Sequence, residues 1–244
     1  MDSTEEFEKF KKRHIAALAQ DKEAHRLSDE WVKRVSANRY SYHFTWLGIP
    51  IIQFPQDIVA MQEIIWRVKP DLVIETGVAH GGSIVFYASM LELLGDDGHV
   101  VGIDIDIRPH NRKTLESHPL RHRYTLIEAS SIADHAVEAV KRLAEGRKRI
   151  LVCLDSNHTH EHVQRELQLY APLVTPGSYI VVFDTVIEQF PQGAFTGRPW
   201  DKGDNPFTAV HEFLKTTDRF EIDTDIDAKL QVSVAPHGYL RCVK

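Results

Sequence analysis

Two aspartates and a cluster of histidines are the residues best placed to do chemistry. Asp155 closes the apolar run ILVCLD (150–155) and leads into SNHTHEHV, which carries His158, His160 and His162. Asp184 closes a second run, SYIVVFD (178–184). Two carboxylates with neutral donors nearby suit a hard divalent cation such as Mg²⁺, which keeps several of its waters. Such an ion could bind vicinal oxygens of a small molecule and favour a deprotonated hydroxyl. His158 reads as a base or a metal neighbour. If a helix starts near Thr159, His158 and His162 share a face and His160 points elsewhere. The plainer alternatives are solvent-facing first-turn positions for His160 and His162, and helix N-caps for Asp155 and Asp184. Asp155, His158 and His162 together would instead make an Fe²⁺ or Zn²⁺ site of an oxygenase or hydrolase.

A second group of residues can hold a ligand. The run VIETGVAHGGS (73–83) ends an apolar strand-like segment and opens a helical one. Its glycines permit a tight turn and close approach, and the helix start offers free N–H groups. Glu75 before the first glycine is unusual for a pyrophosphate site. It fits a ligand with an amino group and a sulfonium, that is, S-adenosylmethionine. Gly77, Ala79, His80, Gly81 and Ser83 complete the candidate turn. Asp104, ending the next strand, is assigned to ribose hydroxyls ahead of Asp106. Ser130 and Ser131, after the third strand, suit an adenine edge, and Asp155 borders the same place. The glycines miss the GxGxxG register of a dinucleotide site, which argues against a nicotinamide oxidoreductase.

These residues need a scaffold, and the hydropathy pattern supplies one. Apolar runs at 72–76, 99–105, 123–129, 150–155 and 178–184 alternate with helical segments near 82–94, 109–117, 133–145, 160–170 and 206–216. That alternation predicts βαβ units and a parallel sheet covered on both faces. The tail, FEIDTDI and LQVSVAPHGYLRCVK, reads as two final strands joined by a turn, an antiparallel ending. The fold class is therefore α/β, and five parallel strands with such an ending resemble the Rossmann-like class I methyltransferase variant of the doubly wound fold, a mostly parallel seven-stranded sheet with an antiparallel last strand. An N-terminal helical and aromatic extension (1–55) precedes the main domain (56–244). Residues 3–38 read as one or two amphipathic helices, and QDIVAMQEIIWRVKP as a helix stopped by Pro70.

Composition narrows the class. The 244 residues are 43% hydrophobic and 26% charged, a globular profile, and the net charge of -6 leaves no footprint for nucleic acid. No apolar run reaches the ~20 residues of a membrane span, and the acidic, amphipathic start lacks a secretory h-region. Cys153 and Cys242 each sit in an apolar run, which points to packing roles in a reducing cytoplasm.

Taken together, ETGVAHGGS, GIDID, LDSNHTHEHV, YIVVFDT, NPFTAVHEFL and VSVAPHGYLRCV resemble the cephalosporin hydroxylase family, which includes rhamnosyl O-methyltransferases. The resemblance spans about residues 40–244. It implies S-adenosylmethionine as methyl donor and, in some members, Mg²⁺. By motif, Glu75 and Gly77 would border the methionine moiety, Asp104 the ribose, and Asp155 and Asp184 a metal. An acidic pair is expected at the end of the fifth strand, but Phe183 precedes Asp184. Water, Glu188 or a histidine would have to complete the ligands. The expected reaction is O-methylation of a hydroxyl on a sugar or glycosylated small molecule, in a homo-oligomer, with Asp155 and His158 catalytic. A degenerate cofactor-binding scaffold subunit is the non-enzymatic alternative. The long loop 190–207, rich in Gly, Pro and aromatics, reads as an acceptor lid with Trp200 and Arg198, or else as a mobile surface loop.

Overall fold

The structure is a computed structural model that describes residues 3–244. Two helices open it, α1 (Thr4–Leu18) and α2 (Lys22–Ser36), capped by the side chains of Ser3 and Asp21. The aromatic stretch that follows is not extended throughout. Tyr40–His43 form a 3₁₀ turn, and Phe44–Trp46 (β1) pairs antiparallel with Ile49–Ile51 (β2). Tyr40 packs edge-on against Trp31, Phe44 and Phe54, so this stretch folds around one aromatic cluster. Helix α3 (Pro55–Val68) starts with proline, whose fixed φ suits a first turn, and ends at Lys69 in the left-handed region.

The sheet then alternates with helices as the hydropathy pattern requires. Strands β3 (Leu72–Thr76), β4 (His99–Asp104), β5 (Tyr124–Glu128), β6 (Ile150–Leu154) and β7 (Tyr179–Val182) are parallel. Helices α4 (Gly82–Leu94), α5 (Pro109–Glu116), α6 (Asp134–Ala144) and α7 (His160–Tyr170) lie between them. After α8 (Pro206–Phe213) come β8 (Phe220–Ile222), α9 (Thr224–Leu230) and β9 (Tyr239–Cys242). The seven-stranded order is β5-β4-β3-β6-β7-β9-β8, with β9 antiparallel to both neighbours.

Strand alternation divides the core in two. Val73, Leu151, Cys153 and Val181 face one layer with α3 and α4, while Leu72, Ile74, Val152 and Ile180 face the other with α6, α7 and α8. β3 and β6, the central pair, are buried at every position, as strands covered on both faces must be. Among the described residues no helix is long and apolar enough to cross a membrane.

The tail departs from expectation. The two final strands are joined by a helix and a loop rather than a turn. Ile226 and Ala228 are buried because α9 turns them inward, and Asp225 and Asp227 sit in its first turn, where the helix dipole favours acids. The loop after α9 is tied to α3 by the buried Asp57, which accepts hydrogen bonds from Ser233 Oγ (2.5 Å), Val234 N–H (2.9 Å) and Tyr239 Oη (2.7 Å).

Candidate active site

The chain passes from β3 to β4 and β5 on one side, then returns to β6 on the other side of β3. In such sheets ligands lie beyond the carboxyl ends of the strands at this switch point. A cavity of about 1080 Å³ opens there.

Its floor is the turn between β3 and α4. Gly77 has φ +89°, and a Cβ at that position would stand 1.9 Å from the carbonyl oxygen of Asp155. Glycine is therefore what lets the β3–α4 and β6–α7 loops touch. Gly82 plays the same part on the other side, where a Cβ would lie 2.2 Å from the Pro50 carbonyl. The β1–β2 hairpin consequently rests on the first turn of α4, further held by Trp46 Nε1 donating to Ser89 Oγ (3.0 Å). Asp104 organises the turn: its Oδ2 accepts from the N–H groups of Val78 (2.7 Å) and Ala79 (3.0 Å), and its Oδ1 from that of Asp106 (3.0 Å). Asn111 Nδ2 donates to the Ala79 carbonyl (2.9 Å), which fixes Ala79 at a positive φ of 48°.

Most of the residues singled out in the sequence line this cavity: Gly77, Ala79, His80, Ser83, Asp104, Ser130, Ser131, Asp155, His158 and Asp184. Glu75 and Gly81 stand behind the wall. Glu75 is completely buried, and its Oε2 accepts from Ser83 Oγ at 2.7 Å. Burial pushes its carboxyl up to about 8, against the opposing hydrogen bonds from Ser83 and Tyr87. The folded protein thus holds a proton that the unfolded chain has released. The resulting stability is complete below the ordinary value of 4.5 and is lost as pH rises through about 8. Glu75→Gln keeps the shape and removes the titration. Urea unfolding at a series of pH values is expected to show a shallower decline for the variant, and identical slopes would rule out a neutral Glu75.

The two aspartates and one histidine converge at the mouth of the central strands. One ligand atom from each of Asp155, His158 and Asp184 lies within 4.8 Å of the others. His158 Nε2 is 3.0 Å from Asp184 Oδ2. Neither aspartate caps a helix: the residue preceding α7 is Thr159, and Asp184 makes no capping bond to the 3₁₀ turn after it. Asp184 adopts φ 56°, a strained conformation for a non-glycine residue. It is pinned by the buried Phe183 before it and by Thr185 Oγ1, which donates to the Pro236 carbonyl at 2.7 Å. Burial, then Asp184 and Glu75, push the Asp155 carboxyl well above the usual carboxylate range. Its hydrogen-bond donor is Gln53 Nε2 at 3.3 Å, from the segment after β2.

The histidine cluster separates. His162 is absent from the Asp155–His158–Asp184 group; its Nε2 lies 3.1 Å from both Ser131 Oγ and Ser156 Oγ and 3.5 Å from Glu166 Oε1, in another part of the cavity wall. His160 links α7 to α8 through Thr208 Oγ1 (2.8 Å) and Glu212 Oε2 (3.2 Å). Glu188 is outside both the Asp155–His158–Asp184 group and the cavity lining, and its Oε2 accepts from Gly203 N–H and Asn205 Nδ2. In the loop after β7, Trp200 sets its ring edge-on to His158 with centroids 4.7 Å apart, and Arg198 lies over Trp200 at 5.3 Å. Gln53 and Asn111 were missed by sequence reasoning, which had no short-range signal for either.

A mostly parallel sheet with this strand order, a glycine turn fixed by the acid of the next strand, and acids at the ends of β6 and β7 define a Rossmann-like methyltransferase-type fold. The family model described as "Rhamnosyl O-methyltransferase/CmcI" matches residues 38–243, and the chain belongs to that family. It is 31% identical over 217 residues to a rhamnosyl O-methyltransferase of Mycobacterium tuberculosis (strain ATCC 25618 / H37Rv), covering 88% of this chain and 84% of that protein. The rhamnosyl O-methyltransferase of Mycobacterium leprae (strain TN) is 29% identical over 216 residues, covering 88% and 90%. A solved CmcI structure described with Mg and SAM shares the fold at TM-score 0.58 and 19% identity, over 83% of this chain and 78% of that one.

Proposed function

We propose that the protein is an S-adenosylmethionine-dependent O-methyltransferase acting on a hydroxyl of a sugar or sugar-bearing small molecule, assisted by Mg²⁺. The observation that carries the reading is that the glycine turn with Asp104 and the Asp155–His158–Asp184 group open into one cavity. Relatives named rhamnosyl O-methyltransferase support a sugar hydroxyl as acceptor.

The methyl-donating substrate would lie along the ends of β3, β4 and β5. Its amino acid end would meet Gly77, Ala79, His80 and Ser83, with Gly81 and Glu75 behind them, its ribose would meet Asp104, and its adenine Ser130 and Ser131. Asp104 spends its oxygens on backbone N–H groups, yet a carboxylate has lone pairs enough to accept from ribose hydroxyls as well. Asp155 would border both the donor and the acceptor.

The donor set fits a hard cation. Two carboxylates and an imidazole nitrogen meet with no lysine or arginine paired to them among the described residues, and burial beside Asp184 makes the Asp155 charge costly without a cation. Asp155 and Asp184 would hold the ion, with His158 adjacent. Bound there, Mg²⁺ would supply positive charge that favours the deprotonated form of an acceptor hydroxyl. His158 takes the hydroxyl proton, and Asp184, 3.0 Å from Nε2, stabilises the imidazolium that results. The acceptor oxygen then attacks the methyl carbon in line as the carbon–sulfur bond breaks, leaving S-adenosylhomocysteine. Trp200 holds the His158 ring by its edge contact and closes the site from the lid side.

A cytoplasmic setting is part of the reading, supported by two free, buried thiols. So is a homo-oligomer, supported by the exposed aromatic residues Phe7, Phe10 and Trp31 on the first two helices.

Calorimetric titration of chelator-stripped protein tests the reading. S-adenosylmethionine and S-adenosylhomocysteine are expected to bind and NAD⁺ is not. Asp104→Ala is expected to weaken both by about a hundredfold, because it removes the ribose acceptor and loosens the turn. Binding of NAD⁺ alone, or of none of the three, would overturn the proposal.

A further inference from the structure

Charge is distributed unevenly over the cavity. Its carboxylates, Asp104, Asp155 and Asp184, lie at the strand ends. Its long cationic side chains come from two stretches of chain. Lys33 belongs to α2 and Arg39 to the turn after it, whereas Arg198 belongs to the loop after β7. All three are exposed, and none is paired with a carboxylate among the described residues.

Two of the cations are matched to rings. Arg39 lies over Tyr42 at 6.0 Å and Arg198 over Trp200 at 5.3 Å, and both rings line the cavity. Stacking orders a guanidinium while leaving its in-plane N–H groups free for a bidentate anion. Arg39 also adopts φ 52°, a conformation that costs energy for a side chain without local compensation. Arg198 connects to the reacting centre through its partner Trp200, which touches His158.

We propose that the methyl acceptor is an anionic sugar derivative. Its reacting hydroxyl reaches Asp155, His158 and Asp184, and its phosphate or carboxylate is held at the mouth by Arg198 and Arg39, with Lys33 beside them. The assignment rests on the methyltransferase reading. The cavity of about 1080 Å³ has room for a donor and such an acceptor together. Separation of charge gives the acceptor one orientation: the acidic floor repels its anionic end and the cationic rim attracts it.

The test uses protein saturated with S-adenosylhomocysteine in the presence of chelator, so that no metal–phosphate contact is read. Glucose 1-phosphate, glucuronic acid and neutral methyl glucoside are titrated by calorimetry. At least one anionic sugar is expected to bind about tenfold more tightly than methyl glucoside, and the order of the two anions distinguishes phosphate from carboxylate. Arg198→Gln and Arg39→Gln, both at exposed positions, are each expected to weaken that binding about fivefold and to leave S-adenosylhomocysteine affinity unchanged. Equal affinity for methyl glucoside overturns the proposal. So does absence of anion binding at concentrations on the order of 10 mM. Unchanged sugar binding in both variants also overturns it, as does a loss of S-adenosylhomocysteine affinity in them, which would give these cations to the methionine carboxylate. If wild-type protein fails to bind S-adenosylhomocysteine at all, the methyltransferase reading itself falls, a result distinct from the others.

Discussion

Asp155→Asn is expected to lower kcat by about a thousandfold without lowering the melting temperature. Loss of activity follows from position. Asp155 is one of two carboxylates that could hold the cation, and it faces His158 across the same small space. Asparagine keeps the shape and an oxygen but removes the charge that a hard cation requires. The thermal result separates this loss from misfolding. Burial together with Asp184 and Glu75 raises the Asp155 carboxyl far above its ordinary range, so the ionised form is a cost to the free folded protein. In linkage terms, its stabilising protonated form is complete below the unfolded value and disappears as pH rises. Asparagine is neutral at every pH, so at neutral pH the variant should melt at the same temperature or higher. This is the pattern of a site whose function opposes its stability. A variant that keeps more than a tenth of the wild-type rate would remove Asp155 from the reaction.

Gly77→Ala is the second large effect, and it is of the opposite kind. The substitution demands a left-handed φ of 89° from an L residue and places a methyl group 1.9 Å from the Asp155 carbonyl. Nothing at that contact is a flexible side-chain end, because the obstacle is backbone. The two loops must separate, which breaks the Asp155 N–H bond to the Thr76 carbonyl (2.8 Å) and shifts both ligand turns. We expect a loss of about 3 kcal/mol, read as a fall of roughly 6 to 12 °C in Tm. S-adenosylhomocysteine binding should be lost with it. A variant that melts normally and binds normally would show that the loops do not need this contact.

Much of this architecture is legible in one dimension, because it depends on local periodicity. The five parallel strands are short β-branched runs separated by helical segments, and strands buried on both faces cannot alternate with polar residues. Asp104, Asp155 and Asp184 could be placed at strand ends because an acid directly after an apolar run has no other position available. The glycine turn was readable for the same reason. In the tail, FEIDTDI is strand only over Phe220–Ile222, and the chain turns helical from Thr224. The cue was there: Asp223, followed by Asp225 and Asp227, marks a helix start.

The sequence by itself therefore determined the order of the elements, the glycine turn after the first parallel strand and the acids at the strand ends. The three-dimensional structure decided what those residues touch. Glu75 lies behind Ser83 rather than in the cavity, and Asp104 holds the turn together as well as facing the ligand space. His158 pairs with Asp184 while His160 and His162 leave for other partners. Gln53 reaches Asp155 across 102 positions of chain. Local propensities act over a few residues, whereas these contacts form only when hairpin, lid and sheet are packed, so no spacing in the sequence encodes them.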